Sequence, residues 1–143
     1  DRIVMLPVLT GAVVFVADLI REMPMRLSMR VVTVSSYPGA STSSKGAMLR
    51  GALPPDLKGR HVVVVDDILD TGQTLGLLRD LILEQQPASL RIVVLLTKLV
   101  ERKVEVTAHY SGFDIPDEFV VGYGLDYNGF YRNLPEIVIL EQR

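Results

Sequence analysis

From Val62 to Thr74 the chain reads Val-Val-Val-Val-Asp-Asp-Ile-Leu-Asp-Thr-Gly-Gln-Thr. After the valine run, three aspartates, two threonines and one glycine fall within nine residues, Asp66 to Thr74. Ligands of open α/β sheets bind at the carboxyl ends of the strands. A helix that starts there offers unpaired backbone N–H groups and the positive end of its dipole, which suits a phosphate. Gly72 allows close backbone approach, and Thr71 and Thr74 add hydroxyl donors. Carboxylates in such a cradle would repel a bare phosphate. They suit a ligand that also presents ribose hydroxyls or brings Mg²⁺. A helix cap alone needs one such residue rather than this whole set.

Other phosphate and metal motifs are absent. The chain has no G-x-x-x-x-G-K-[ST] segment, and Gly122-Tyr123-Gly124 has Tyr127 where a dinucleotide fingerprint needs its third glycine. His61 and His109 are not at metal-ligand spacing and read as structural. Cysteine is absent, which excludes thiol catalysis, disulfides and Cys-based metal sites. A formal net charge of −2, with both signs interspersed, lacks the basic footprint of a nucleic-acid binder. No apolar run is long enough to cross a membrane, so a cytoplasmic protein with neither nucleic-acid nor membrane partners is expected. The 143 residues, 48% of them hydrophobic, fit one domain (1–143) with a core that needs no staple.

The elements that must position this segment follow from periodicity. Ile3 to Leu9 is an apolar strand ending at Thr10-Gly11. Ala12 to Met23 has helical spacing (Val13, Val16, Ala17, Ile20) and stops at Pro24. Leu27 to Ser35 reads as a second strand. In Ser36 to Ala47, eight of twelve residues are Gly, Pro, Ser or Thr, which predicts a long mobile loop. His61 to Val65 is the clearest strand, its continuous valines marking burial on both faces. A helix over Leu75 to Gln86 and a buried strand over Leu90 to Leu96 follow. Shorter strands are expected at Val104 to Tyr110, Phe119 to Tyr123 and Ile137 to Leu140. This alternation predicts an α/β fold with a mainly parallel, twisted sheet and helices on both faces.

Val62 to Thr74 resembles the phosphoribosyl-pyrophosphate (PRPP) signature of type I phosphoribosyltransferases. Further segments resemble the hypoxanthine-guanine branch: Leu9-Thr10-Gly11-Ala12 its first active-site loop, Ser36-Tyr37 its lid, and Leu96-Thr97-Lys98 its purine-contacting lysine segment. The most distinctive stretch runs from Gly112 to Tyr127 and continues with Tyr131-Arg132-Asn133-Leu134-Pro135. The resemblance spans essentially the whole chain and implies that fold with a small hood region. The pattern departs from the family's at Asp66, where glutamate is usual, and at Thr10, where Lys or Arg is common. The family's leading helix and strand have no counterpart, and the chain enters an apolar run by Ile3, so an N-terminal segment is expected to precede Asp1.

The implied reaction displaces pyrophosphate from C1′ of PRPP with a purine nitrogen, giving IMP or GMP. Asp66 and Asp67 would hold the ribose hydroxyls, and Asp70, Thr71, Gly72, Gln73 and Thr74 the 5′-phosphate. Asp70 would also be the general base at the purine N7. Thr10, Gly11 and Arg132 would meet the pyrophosphate. Lys98 would donate to O6 and so select 6-oxopurines, since a 6-amino group offers it no acceptor. Phe119 would stack on the base and Val120 would contribute backbone groups. Asp126 would meet the 2-position region and, with Asp66 and Asp67, hold Mg²⁺. Ser36 and Tyr37 would belong to a lid over Ser36 to Lys45 that excludes water, and the protein would form a homodimer or homotetramer. In each case a plain role stays open: core for Phe119, surface charge for Lys98 and Arg132, a turn for Asp126. A xanthine-preferring transferase and a non-catalytic PRPP-binding regulator are the alternatives.

Overall fold

The computed structural model describes residues 2–36 and 47–141. Tyr37, Lys45 and the rest of the expected lid beyond Ser36 lie outside the described residues. In chain order the elements are β1 (Ile3–Leu9), α1 (Val13–Arg21), β2 (Ser28–Met29), β3 (Val32–Ser36), β4 (Ala47–Arg50), β5 (His61–Leu69), α2 (Gln73–Glu84), β6 (Ser89–Lys98), β7 (Tyr110–Ile115), β8 (Val120–Val121) and β9 (Val138–Ile139).

The valine run sits at the centre of a seven-stranded sheet ordered β4-β3-β1-β5-β6-β7, with β2 also paired to β1. Every pairing is parallel except β3 with β4. Side chains alternate across a strand, and that alternation divides the core. Val62 and Val64 pack with Leu6, Ile92 and Val94 beneath α2 (Leu75, Leu78, Ile82). Val63 and Val65 pack with Met5 and Val93 against α1 (Val16, Leu19, Ile20). With a helix over each face, the central strands present no polar side, which explains the unbroken apolar sequence.

The expected second strand is two short ones. Both pair with β1, and the break falls at Arg30-Val31, where Arg30 turns outward to hold Asp56 with two bonds of 2.9 Å and Val31 is 53% exposed. β4 was not foreseen. β5 runs four residues further than the valine pattern suggests, because backbone pairing with β6 continues to Leu69 opposite Thr97. Asp66 and Asp67 therefore stand on the strand rather than in the loop after it.

The strand expected at Val104 to Tyr110 lies instead at Tyr110–Ile115. Lys103 and Val104 direct their N–H groups to the Thr71 carbonyl (2.8 and 3.1 Å), so this stretch wraps the loop before α2 and does not join the sheet. The expected strands at Phe119 to Tyr123 and Ile137 to Leu140 shrink to β8 and β9, an antiparallel pair forming a small second sheet at the place of the hood. β8 stops because Gly122 (φ 98°) and then Tyr123 (φ 52°) leave the extended region directly after Val121.

Candidate functional site

The chain leaves β1 toward β3 on one side of the sheet, and leaves β5 toward β6 on the other. Such a switch point opens a crevice at the strand ends. Here it is a cleft of about 410 Å³ lined by Val8, Leu9, Gly11, Val34, residues 66–75, Asp126 and Arg132. Of the residues singled out in the sequence, it brings together Gly11, Asp66, Asp67, Asp70, Thr71, Gly72, Gln73, Thr74, Asp126 and Arg132. Thr10, Lys98, Phe119 and Val120 are not among its lining residues, and Ser36 ends β3.

The floor is the end of β5. Asp66 is 6% exposed, and its Oδ1 accepts the Asp67 N–H at 2.8 Å. Burial, reinforced by the charge of Asp67 and a hydrogen bond between the two side chains, pushes the Asp66 carboxyl well above the usual carboxylate range. Asp67 faces the first loop: a Cβ at Gly11 would lie 2.1 Å from Asp67 Oδ2, so only glycine leaves that carboxylate its place. The peptide between Leu9 and Thr10 is cis.

α2 is capped by Gly72, whose φ of 90° and whose approach to the Val104 carbonyl (2.3 Å from a hypothetical Cβ) exclude a side chain. Its N-cap makes no side-chain hydrogen bond, so the first N–H groups of the helix face the cleft without that competitor. Beside this loop, Lys98 Nζ lies 3.6 Å from Asp70 Oδ2 and 3.6 Å from Asp117 Oδ1, and its side chain is only 12% exposed. Lys98 is therefore no free surface charge.

The roof comes from the loop after β8. Asp126 accepts the Gly129 N–H at 2.8 Å and stands 3.4 Å from Arg132, whose Nη1 donates to the Gly124 carbonyl at 2.7 Å. Phe119 meets Tyr127 edge-on, with centroids 5.7 Å apart, and each residue is 40% exposed, leaving an open aromatic surface. The Tyr123 hydroxyl donates to Asp18 of α1, tying the hood to the main sheet. Burial and then Asp18 push that phenol up to about 12. His61 shares a hydrogen bond with Ser89 and His109 accepts the Ile92 N–H, as structural histidines do.

The model of the phosphoribosyl transferase domain matches residues 1–128. The chain belongs to the phosphoribosyltransferase family. It is 45% identical over 139 residues to the hypoxanthine-guanine phosphoribosyltransferase of Streptococcus pneumoniae, covering 97% of this chain and 77% of that protein. It is 43% identical over 144 residues to the hypoxanthine phosphoribosyltransferase of Haemophilus influenzae, covering 99% and 80%. A crystal structure of a hypoxanthine phosphoribosyltransferase from Staphylococcus aureus superposes with a TM-score of 0.91 at 40% identity, covering 99% of this chain and 77% of that one.

Sequence reasoning missed one residue in this phosphoribosyltransferase. Arg102 donates from one nitrogen to the carbonyls of Asp70, Lys98 and Val100 at 2.8, 3.0 and 3.1 Å. Its only signal is a cation four positions after Lys98, which periodicity does not distinguish from a surface arginine.

Proposed function

We propose that this phosphoribosyltransferase serves purine salvage, transferring the phosphoribosyl group of PRPP to hypoxanthine or guanine to give IMP or GMP and pyrophosphate. The observation that carries the proposal is the junction of β5 and α2. There an anion-accepting helix start, the Asp66–Asp67 pair and a lysine-flanked Asp70 meet within one cleft. Residues 1–143 act in it as one domain, in the cytoplasm, and as a homodimer or homotetramer.

The N–H groups and hydroxyls of Thr71 to Thr74 receive the 5′-phosphate, and Asp67, beside Gly11, accepts from the ribose hydroxyls together with Asp66. Asp70 takes the N7 proton as the purine attacks C1′. Lys98 donates to O6, Phe119 stacks on the ring and Val120 presents its backbone to the purine edge. Arg132, with Thr10 and Gly11, meets the pyrophosphate, and Ser36 and Tyr37 begin the water-excluding lid.

The donor set fits Mg²⁺, a hard cation that keeps several waters and shares its shell between one or two carboxylates and substrate phosphates. Among the described residues no group of three or more acidic or histidine side chains is gathered to cage a metal. One or two of Asp66, Asp67 and Asp126, rather than all three at once, would thus hold the ion jointly with PRPP, where it would offset the charge of the leaving pyrophosphate.

Steady-state rates with PRPP, Mg²⁺ and each purine in turn test this reading. Hypoxanthine and guanine should be converted and adenine should not. Adenine turnover equal to that of hypoxanthine would overturn the assignment of Lys98 and the base class with it.

A further inference from the structure

The backbone pairing of β5 with β6 ends at Leu69 opposite Thr97. One residue beyond, Asp70 has left β5, while Lys98 stays in β6 through its pairing with Ile115 of β7, so no pairing between β5 and β6 sets their relative position. These are the residues to which the proposed function gives the proton and the O6 contact. A carbonyl that leaves the ladder needs another donor, and the Lys98 carbonyl already accepts the Val100 N–H at 2.9 Å. Arg102 bridges the two: its Nη1 donates to Asp70 O at 2.8 Å and, as a second donor, to Lys98 O at 3.0 Å, with Val100 O at 3.1 Å holding its own turn in place. The same turn continues the contact, since the Lys103 and Val104 N–H groups donate to Thr71 O and the Val104 carbonyl packs on Gly72.

We propose that Arg102 is a positioning residue for phosphoribosyl transfer, a clamp that sets the phosphate loop and the base-selecting lysine in one frame. It is not among the residues that line the cleft. It is a permanently charged, planar donor placed where two backbone segments with separate ligands must keep a fixed distance. The clamp joins the two half-sites, so its loss should reach PRPP and the purine alike. A residue that merely supports the fold would lower the amount of active protein and leave both KM values unmoved.

The proposal rests on the assigned function, and its test has one readout that does not. Arg102→Met keeps most of the apolar stem and removes the donors. Amide exchange of residues 70–74 should accelerate roughly tenfold or more, the scale of a lost charge-assisted hydrogen bond, while the second half of α2 exchanges as in the parent. In steady state, KM for PRPP and KM for hypoxanthine should both rise by a similar factor. Should Arg102→Met fail to fold, Arg102→Gln serves: it keeps an amide donor too short to reach all three carbonyls, and both readouts should move to a lesser degree. A folded variant whose 70–74 amides exchange at the parent rate overturns the clamp, and so does faster exchange with both KM values unchanged. A parent chain that makes no nucleotide contradicts the assigned function instead, and the exchange comparison then decides the clamp alone.

Discussion

Replacing Lys98 by methionine separates recognition of the base from support of the fold. The lysine sits 3.6 Å from both Asp70 and Asp117, whose side chains are 47% and 76% exposed. Ion pairs that open to water are worth about 0–1 kcal/mol, so their loss should lower stability little. Methionine keeps most of the buried stem, which limits the packing cost further. A hydrogen bond from an ammonium to the purine O6 is worth about 1.5–3 kcal/mol, which converts to a fall of roughly 10- to 150-fold in kcat/KM for hypoxanthine. The expected result is a large loss in kcat/KM for both 6-oxopurines beside a small shift in urea midpoint. Discrimination against adenine should narrow in the same measurement. A variant that loses stability but keeps kcat/KM for hypoxanthine within twofold would refute the reasoning and return Lys98 to a structural role.

Two further substitutions test the floor of the cleft. Gly11→Ala puts a methyl 2.1 Å from Asp67 Oδ2, so the carboxylate must move. We expect about 1–3 kcal/mol of destabilisation from overpacking, and a KM for PRPP that rises more than KM for the base, read by urea melts and steady-state kinetics. Asp66→Asn keeps an oxygen to accept the Asp67 N–H and removes a charge that burial disfavours. The folded-state pKa of Asp66 is raised, so its protonated form stabilises the fold at low pH. That contribution is lost as pH rises through the raised value. The variant should therefore be more stable than the parent at neutral pH, with the advantage shrinking as pH falls toward the ordinary carboxylate range, although its transfer rate drops. A constant stability difference across pH would contradict the burial argument.

The parts of this fold that were legible in the sequence are those where one physical demand acts alone. β1, α1, β5, α2 and β6 are apolar at their own period, and each was placed within a few residues. β7 was displaced because its sequence, Tyr-Ser-Gly-Phe-Asp-Ile, carries a glycine and an aspartate that lower strand propensity, and its pairing comes from β6 alone. The more apolar stretch before it, around Val104 and Val106, packs against α2 and the loop before it instead. β8 was read too long because the chain turns at Gly122 (φ 98°) and Tyr123 (φ 52°), where an apolar pattern running on to Tyr123 masked the glycine's signal. In the site, the Asp66 to Thr74 chemistry was visible because residue type and position coincide. The partnership of Lys98 with Asp70 and Asp117, the contact of Asp67 with Gly11 and the three carbonyls held by Arg102 are tertiary, and no spacing encodes them.

The central claim is that the β5–α2 junction binds PRPP and that Asp70 takes the purine proton there. Asp70→Asn isolates that proton, since the amide keeps the shape and an acceptor oxygen but is no base. Single-turnover formation of IMP, with PRPP, Mg²⁺ and hypoxanthine pre-bound, should slow by roughly 10²–10⁴, the usual contribution of general acid–base catalysis, while the dissociation constant for PRPP changes only a few-fold. A near-parental single-turnover rate would contradict the account.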